Sequence, residues 1–487
     1  MVSGEGEETP VSTTGENNVA ADLATQEAEV AKKRSALLVA GLFVGYGYYN
    51  TLRGSFPQQM RNIAQDLKIP MSQIGLPNSI FSVFYGLGKL CGSIASDYLP
   101  CAECHALGIM LCGLDIAAIG LCKGIKSMSA LWGLQGALQA FGWPFLARIV
   151  VSKLPQEDRA KYWGVLSMAG SVGAMLAPYG AVLAKSCGVS WRGALAMNGA
   201  SAVAMAWFVR AVLRRAGACA ESIPKQLTDE RPSKVQNKST ALVPLSKKAV
   251  LGSPALMSLA LCNMLSFFAS KCTKEWAAVY LRGTGLAATD LQSANLLFWA
   301  EMGASAGAGL SGFASLCLGG RHALTCLISA VVAVLSTGTL AIKTRRWKGK
   351  EFSPSPVPFA LACVLQALSL AGINAVRTLA GLHGAEVAER TGVVGMVGMA
   401  NGCMEIVGQI GSVFAGQPIG ALAARVASRD GERAGWSSIL AVLTMASAGL
   451  AALNAGLLPA ETRRLSVEKA KKESSSREQV DESLKGS

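Results

Sequence analysis

Twelve apolar stretches of about 20 residues or more follow one another along the 487-residue chain, and each is long enough to cross a bilayer as a helix. They lie near residues 36–60, 74–98, 106–124, 129–152, 163–186, 192–213, 254–281, 289–316, 322–342, 357–380, 392–420 and 437–458. Inside lipid a backbone must satisfy its own hydrogen bonds, and an α-helix does so within one segment. The pattern therefore predicts an all-α membrane protein with twelve transmembrane helices.

The composition supports a polytopic membrane protein. Only 16% of the residues are charged, where a soluble domain has roughly a quarter, and 51% are hydrophobic. The 53 glycines suit helices that pack closely in lipid. The net charge of +14 is concentrated beside the apolar stretches, so it indicates orientation in the bilayer and not binding to nucleic acid.

The longest internal polar segment separates two sets of six stretches, which predicts two six-helix halves. The expected organisation is a disordered tail at 1–33, a half at 34–213, a linker at 214–250, a half at 251–460 and a disordered tail at 461–487. Basic residues in the linker and before the first stretch place the linker and both tails in the cytoplasm. The basic residues at 343–350 fall on the opposite side and violate this rule.

Two cations lie inside the first two stretches, Arg53 and Lys89. A cation deep in a bilayer costs about 2.5–3.5 kcal/mol on insertion scales, so it usually faces a cavity. The pair therefore indicates a pathway for an anion. The alternative is that one or both lie near a helix end and extend to the headgroups.

The seventh stretch repeats this arrangement. Arg53 lies 17 positions after Ala36, where the first stretch begins, and Lys271 lies 17 after Pro254, where the seventh begins. Cations at equal depth on opposed halves could bind one doubly charged anion between them. Lys274 could serve in place of Lys271, and the equal spacing could be coincidence.

Other polar residues within the apolar stretches are candidates for secondary roles. Glu301, Arg377 and Glu405 are candidates for gating or coupling, since carboxylates inside membranes often relay protons. Tyr49 and Asn263 are candidate hydrogen-bonding residues of the cavity. Each could instead be partnered within the helix bundle.

Neither catalytic nor metal chemistry is indicated. The sequence lacks a nucleophile–base set and a phosphate-binding glycine loop, so no enzyme activity and no cofactor are expected. The 13 cysteines are scattered with neither disulfide nor zinc spacing. A metal role for residues 101–105, Cys-Ala-Glu-Cys-His, lacks a partner cluster.

Several short segments resemble the organophosphate:phosphate antiporter family of major facilitators. They are residues 50–56, 85–89, 92–97, 139–148, 190–192, 271–276 and 381–386, within a similarity that covers roughly 36–460. The resemblance implies that Arg53 contacts substrate phosphate, that Lys271 is the second basic contact and that Lys89 lies near the site. It also implies a monomer that takes small anionic substrates, organophosphates and inorganic phosphate.

The chain departs from the family pattern at informative positions. Gly54 replaces the common lysine after the first arginine, and Gly170 stands where bacterial members have histidine. The cation of the seventh span is Lys271, one position closer to Trp276 than in the family. These departures favour the eukaryotic sugar-phosphate branch and an endoplasmic-reticulum membrane.

The sequence thus predicts a facilitator that exchanges a sugar phosphate, similar to glucose 6-phosphate, or a related organophosphate for inorganic phosphate. One alternative is a facilitator for another organic anion, coupled to protons through Glu301 or Glu405. A second alternative, from a different class, is a transport-inactive membrane sensor or scaffold.

Overall fold

A computed structural model describes residues 14–96, 98–219, 254–346, 357–389 and 396–485, and these residues are helical apart from short connections. The helices of the first half are α1 (Thr14–Asp66), α2 (Met71–Ile74), α3 (Leu76–Ala95), α4 (Cys101–Ile119), α5 (Ile125–Gln139), α6 (Gly142–Lys153), α7 (Gln156–Ser186) and α8 (Trp191–Arg215). Those of the second half are α9 (Pro254–Glu275), α10 (Ala277–Gly283), α11 (Asp290–Cys317), α12 (His322–Arg346), α13 (Phe359–Glu389), α14 (Met396–Phe414), α15 (Gln417–Asp430) and α16 (Glu432–Lys485). The all-α prediction is confirmed for this part of the chain.

Every predicted span overlaps a helix, and four spans are built from two helices each. The breaks separate α2 from α3, α5 from α6, α9 from α10 and α14 from α15. Among the described residues, eight helical segments meet the length and hydropathy expected of a membrane span by themselves. The other four predicted spans lie in helices that are shorter or less apolar.

The two tails are more helical than the sequence predicted. Helix α1 begins at Thr14 and α16 continues to Lys485, so most of both expected tails extends a membrane helix. Ala, Glu and Lys are strong helix formers, and a segment continuous with an existing helix needs no new nucleus. Lys33 adds an ion pair to Glu29, one turn away, at 2.7 Å. Residues 1–13 and 486–487, and the linker from 220 onwards, lie outside the described residues.

Small residues set the distance between neighbouring helices. A Cβ atom added to Gly173 of α7 would clash with the carbonyl oxygen of Gly47 in α1. In the second half, a Cβ atom on Gly303 or Gly307 of α11 would clash with the backbone of α13. Hydrophobic burial contributes little to helix association in lipid, so helices associate largely through close packing of this kind.

The two halves contact each other at the end of the bundle where α1 finishes, which we call the closed end. Ser79 of α3 donates to the carbonyl of Val413 and accepts from the backbone N–H of Gln417, both at 2.8 Å. Lys185 of α7 forms an ion pair with Asp290 of α11. Among the described residues, the halves are also joined by a hydrogen bond from the Tyr179 hydroxyl to the Asn295 side chain at 2.8 Å and by an ion pair at the cavity described next.

Candidate functional site

A cavity of about 170 Å³ lies between the two halves and gathers most of the charged residues that the sequence places inside spans. Helices α1, α3 and α7 line one side, and α9, α11, α13 and α14 line the other. The charged lining residues are Arg53, Lys89, Lys271, Lys274, Glu275, Glu301 and Arg377. The structure thus brings to one place five residues that the sequence predicted separately, namely Arg53, Lys89, Lys271, Glu301 and Arg377.

Arg53 is held by a polar contact and by an aromatic ring. Its Nε donates to Gln139 Oε1 of α5 at 2.6 Å, and the Gln139 amide nitrogen donates to the carbonyl of Tyr49 at 3.1 Å. Its guanidinium lies 4.5 Å from the centroid of the Tyr85 ring. The bond to Gln139 uses one of five guanidinium N–H groups, so the planar fork that can bind two oxygens of an anion remains.

A proline interrupts the backbone hydrogen bonding of α1 beside Arg53. Pro57, another cavity residue, lies four positions later in the same helix. Proline has no backbone N–H, so the carbonyl of Arg53 lacks its usual helical donor. The helix therefore has an interrupted hydrogen bond beside a cation of the cavity.

Lys89 connects the two halves across the cavity. Its Nζ lies 3.4 Å from Glu405 Oε2 of α14 and 5.1 Å from the centroid of the Tyr85 ring. Tyr85 is thus in contact with two cations of the first half. Glu405, which the sequence proposed for coupling, is placed as the counter-ion of Lys89.

Both lysines of α9 are paired with carboxylates. Lys271 Nζ lies 2.5 Å from Glu275 Oε1, one turn along the same helix, and both side chains are largely buried. Lys274 Nζ lies 2.8 Å from Oε2 of Glu301, whose side chain is only 3% exposed. Each lysine therefore faces the cavity with a counter-ion already beside it.

Arg377 of α13 differs from these lysines. Its guanidinium lies 3.8 Å from the centroid of the Phe267 ring in α9. No carboxylate in the described part of the chain lies within ion-pair distance of it. An arginine beside a ring forms no hydrogen bond with the ring edge, so its N–H groups can serve other partners.

The cavity has an excess of positive charge. Its five cations face three carboxylates, Glu275, Glu301 and the neighbouring Glu405, so two positive charges remain without a counter-ion. Uncharged polar side chains of the lining, such as Asn50, Ser270 and Gln409, add hydrogen-bonding groups. The carbonyl-type oxygen of Gln409 is buried and has no partner among the described residues. The arrangement suits a doubly negative ligand that also carries hydroxyl groups.

Two predicted cavity residues lie elsewhere. Tyr49 is fully buried, and its hydroxyl donates to the carbonyl of His105 at 2.9 Å. Asn263 is buried and donates to the carbonyl of Met404 at 2.7 Å. Neither residue lines the cavity, and both join neighbouring helices instead.

Residues that the sequence did not assign to the site have clear roles in it. Gln139, Tyr85 and Glu275 contact the cavity cations. Glu275 was detectable, because it lies four positions after Lys271 and helical residues at that spacing are neighbours. Tyr85 was detectable in the same way, because it lies four positions before Lys89. Gln139 comes from another helix, and no local spacing connects it to Arg53.

A buried polar chain continues from the cavity into the first half. With its amide turned so that both atoms are satisfied, Gln135 accepts from Gln139 Nε2 at 3.2 Å and donates to Asp115 Oδ2 at 3.1 Å. Arg53 is therefore connected to a buried carboxyl through two glutamines.

No group of three His, Cys, Asp or Glu residues suited to a metal occurs among the described residues.

Comparison with known proteins defines the class. The sequence profile of the Major Facilitator Superfamily matches residues 37–397. A bacterial homologue of the human lysosomal transporter Spinster, solved in an inward-facing state, superposes with a TM-score of 0.64 at 14% identity, over 88% of this chain and 98% of that one. The fold is that of a twelve-helix membrane transporter and not of an enzyme. The chain belongs to the Major Facilitator Superfamily.

Sequence relatives indicate which members of the superfamily this chain resembles. A probable hexose phosphate transport protein of Chlamydia pneumoniae is 29% identical over 186 residues, which is 37% of this chain and 40% of the relative. The membrane sensor protein UhpC of Escherichia coli K12 is 24% identical over 434 residues, which is 87% of this chain and 92% of the relative. The match thus spans about two fifths of the hexose phosphate relative. These relatives confirm the resemblance to organophosphate:phosphate antiporters that the motifs indicated.

Proposed function

We propose that this protein exchanges a phosphorylated sugar, or a related organophosphate, for inorganic phosphate across its membrane. The observation that carries the proposal is the excess of two positive charges in a cavity shared by both halves. A phosphate monoester has a second pKa near ~6, so it is largely doubly negative at neutral pH. Substrate and cavity then neutralise each other.

Exchange follows from alternating access. The halves meet at the closed end, so the substrate enters from the opposite end and contacts both halves in the cavity. Rocking of the halves about the bound anion then opens the closed end. Like charges in a closed cavity repel each other when no anion is bound, so an empty occluded cavity is disfavoured. The protein therefore crosses between states with a phosphate bound, which makes transport an exchange.

Arg53 is the proposed phosphate contact of the first half, with Lys89 beside it, and the basic residues of α9 and α13 supply the second half. The linker and tails are proposed to be cytoplasmic, and the protein a monomer. The endoplasmic-reticulum membrane remains a prediction from the departures at Gly54 and Gly170, since the matched hexose phosphate and sensor relatives are bacterial. Imaging of the tagged protein against organelle markers tests that location.

One observation favours a second candidate function. The sensor relative is matched over almost its whole length, whereas the hexose phosphate relative is matched over less than half. A protein with this cavity could bind a sugar phosphate and signal through its long terminal helices without transporting it. A facilitator for another organic anion, driven by protons through Glu301 or Glu405, is the remaining alternative.

Counterflow in liposomes separates the three functions. The purified protein is reconstituted into vesicles with or without internal phosphate, and uptake of labelled glucose 6-phosphate is followed. The proposal expects uptake only with internal phosphate and none driven by an acid gradient. Uptake driven by an inward acid gradient into phosphate-free vesicles would establish the proton-coupled alternative. No flux, combined with saturable binding, would establish the sensor.

A further inference from the structure

We propose that the phosphate group is bound between two arginines, Arg53 of the first half and Arg377 of the second, and that the lysines of α9 are not its primary contacts. This inference rests on the proposed function, because it assigns the residues that bind the phosphate of that same site. It replaces the pair that the sequence favoured, Arg53 with Lys271. Arg377 thereby becomes a substrate contact, where the sequence suggested gating or coupling.

The charges of the α9 lysines are already compensated by carboxylates. An anion that approaches Lys271 also approaches Glu275, whose oxygen is 2.5 Å from the lysine nitrogen. The attraction to one group and the repulsion from the other largely cancel beyond a few ångströms. The same holds for Lys274 and Glu301 at 2.8 Å. Separating either pair would leave a buried carboxylate without a partner, which is costly.

The two arginines have similar surroundings. Arg53 lies over Tyr85 and Arg377 over Phe267, so each guanidinium packs on an aromatic ring. Neither has a carboxylate within ion-pair distance in the described ranges. A guanidinium beside an aromatic ring has no acidic partner there, and its planar fork suits two-point binding of phosphate oxygens. A lysine ammonium lacks this planar fork.

The two excess charges of the cavity lie in different halves or bridge them. Lys271 and Lys274 are paired with carboxylates, and Glu405 interacts with Arg377 as well as with Lys89, so one excess charge is on Arg53 and the other is shared by Lys89 and Arg377. Arg53 and Arg377 lie on α1 and α13, in different halves, and both line the cavity. A doubly negative phosphate bound by both would draw the halves together. Binding and closure would then be one event, as exchange requires.

The experiment measures inorganic phosphate binding and exchange by the full-length protein. Binding is followed by the phosphate-dependent rise in melting temperature in detergent, and exchange by the entry of labelled phosphate into phosphate-loaded liposomes. For Arg377→Gln we expect phosphate affinity to fall about 10- to 100-fold, the loss that follows removal of hydrogen bonds to a charged group. Arg377→Lys should recover only a small part of it, because the charge returns without the fork.

Two comparisons isolate the role of Arg377. Arg210→Gln removes an arginine of α8 that is paired with Glu103 and does not line the cavity, so phosphate affinity should stay within about twofold of wild type. The double variant Lys271→Gln with Glu275→Gln removes an ion pair without changing net charge. It should lose much less affinity than Arg377→Gln.

The possible outcomes distinguish failure of the arginine pair from failure of the proposed function. Wild-type affinity in both Arg377→Gln and Arg377→Lys, with phosphate exchange intact, overturns the arginine pair and leaves the proposed function standing. A larger loss in the Lys271→Gln, Glu275→Gln variant than in Arg377→Gln overturns it in favour of Lys271. If the wild-type protein neither binds nor exchanges phosphate, the proposed function fails and this inference with it. If Arg377→Gln does not fold, Arg377→Lys decides by the same comparison.

Discussion

Arg53 and Gln139, from α1 and α5, are joined by a 2.6 Å hydrogen bond in which the guanidinium Nε donates to the amide oxygen. The amide nitrogen of Gln139 donates in turn to the carbonyl of Tyr49, one turn before Arg53. Gln139 is almost completely buried, so these bonds fix its orientation. A second helix therefore positions the central cation of the cavity.

This hydrogen bond predicts that two substitutions at position 139 lower phosphate affinity, for different reasons and by different amounts. Gln139→Leu removes the acceptor, and phosphate affinity should fall about tenfold because one hydrogen bond to a charged group is lost. Gln139→Glu keeps an acceptor but adds a carboxylate that neutralises Arg53, so its loss should be larger. The concentration dependence of phosphate exchange measures both. A Gln139→Glu variant with wild-type affinity would show that the charge of Arg53 is not used.

The charge of the substrate predicts a dependence on pH. Raising the external pH through about 6 converts a sugar phosphate from the singly to the doubly negative form. The apparent affinity should therefore rise over that range and level off above it. Initial uptake rates at several pH values, in vesicles with constant internal phosphate, give this profile. Affinity that rises as the pH falls would instead favour the proton-coupled alternative.

Removing the ion pairs at the closed end should slow exchange modestly, and by different amounts for different residues. Asp290 of α11 contacts Lys185 of the opposite half and lies 3.5 Å from Arg282. Asp290→Asn should slow exchange more than Lys185→Gln, because it removes both contacts. Lys185 is 58% exposed, and exposed pairs contribute at most about 1 kcal/mol, so neither change should exceed about fivefold.

Exchange rates of the two variants, with equal amounts of protein in the vesicles, test this order. A double variant Lys185→Gln with Asp290→Asn that is no slower than Asp290→Asn alone would support a direct contact between the two residues. Equal rates in wild type and Asp290→Asn would show that these ion pairs do not control closure.

Packing between α11 and α13 predicts a contrast between two nearby glycines. A Cβ atom at Gly307 would clash with the carbonyl of Ala371, whereas nothing lies within 4 Å of one at Gly309. Gly307→Val should lower stability by about 1–3 kcal/mol, the usual cost of overpacking, and Gly309→Val should be nearly neutral. Melting temperatures in detergent make the comparison. Similar values for both variants would contradict the close approach of these helices.

The sequence predicted the all-α fold because twelve long apolar stretches leave few other structures in lipid. It also predicted that Arg53, Lys89 and Lys271 share one site, since cations inside spans are costly and collect at cavities. The structure places all three in the cavity lining. The grouping of these three cations could be predicted because a charge buried in lipid is costly.

The placement of Tyr49 and Asn263 could not be predicted from sequence. Spans that are apolar on every side give no signal of which face meets the cavity. Tyr49 is turned to the carbonyl of His105 and Asn263 to that of Met404, and both bonds depend on the rotation of neighbouring helices. The pairing of Lys274 with Glu301 depends on the same packing.

Exchange of inorganic phosphate by Arg53→Ala shows whether the transported phosphate depends on Arg53. Vesicles loaded with phosphate receive labelled phosphate outside, and the variant is compared with wild type after its melting temperature shows that it is folded. We expect no measurable exchange by Arg53→Ala and little recovery by Arg53→Lys, which restores the charge without the fork. Near-normal exchange by folded Arg53→Ala would show that Arg53 does not bind the transported phosphate.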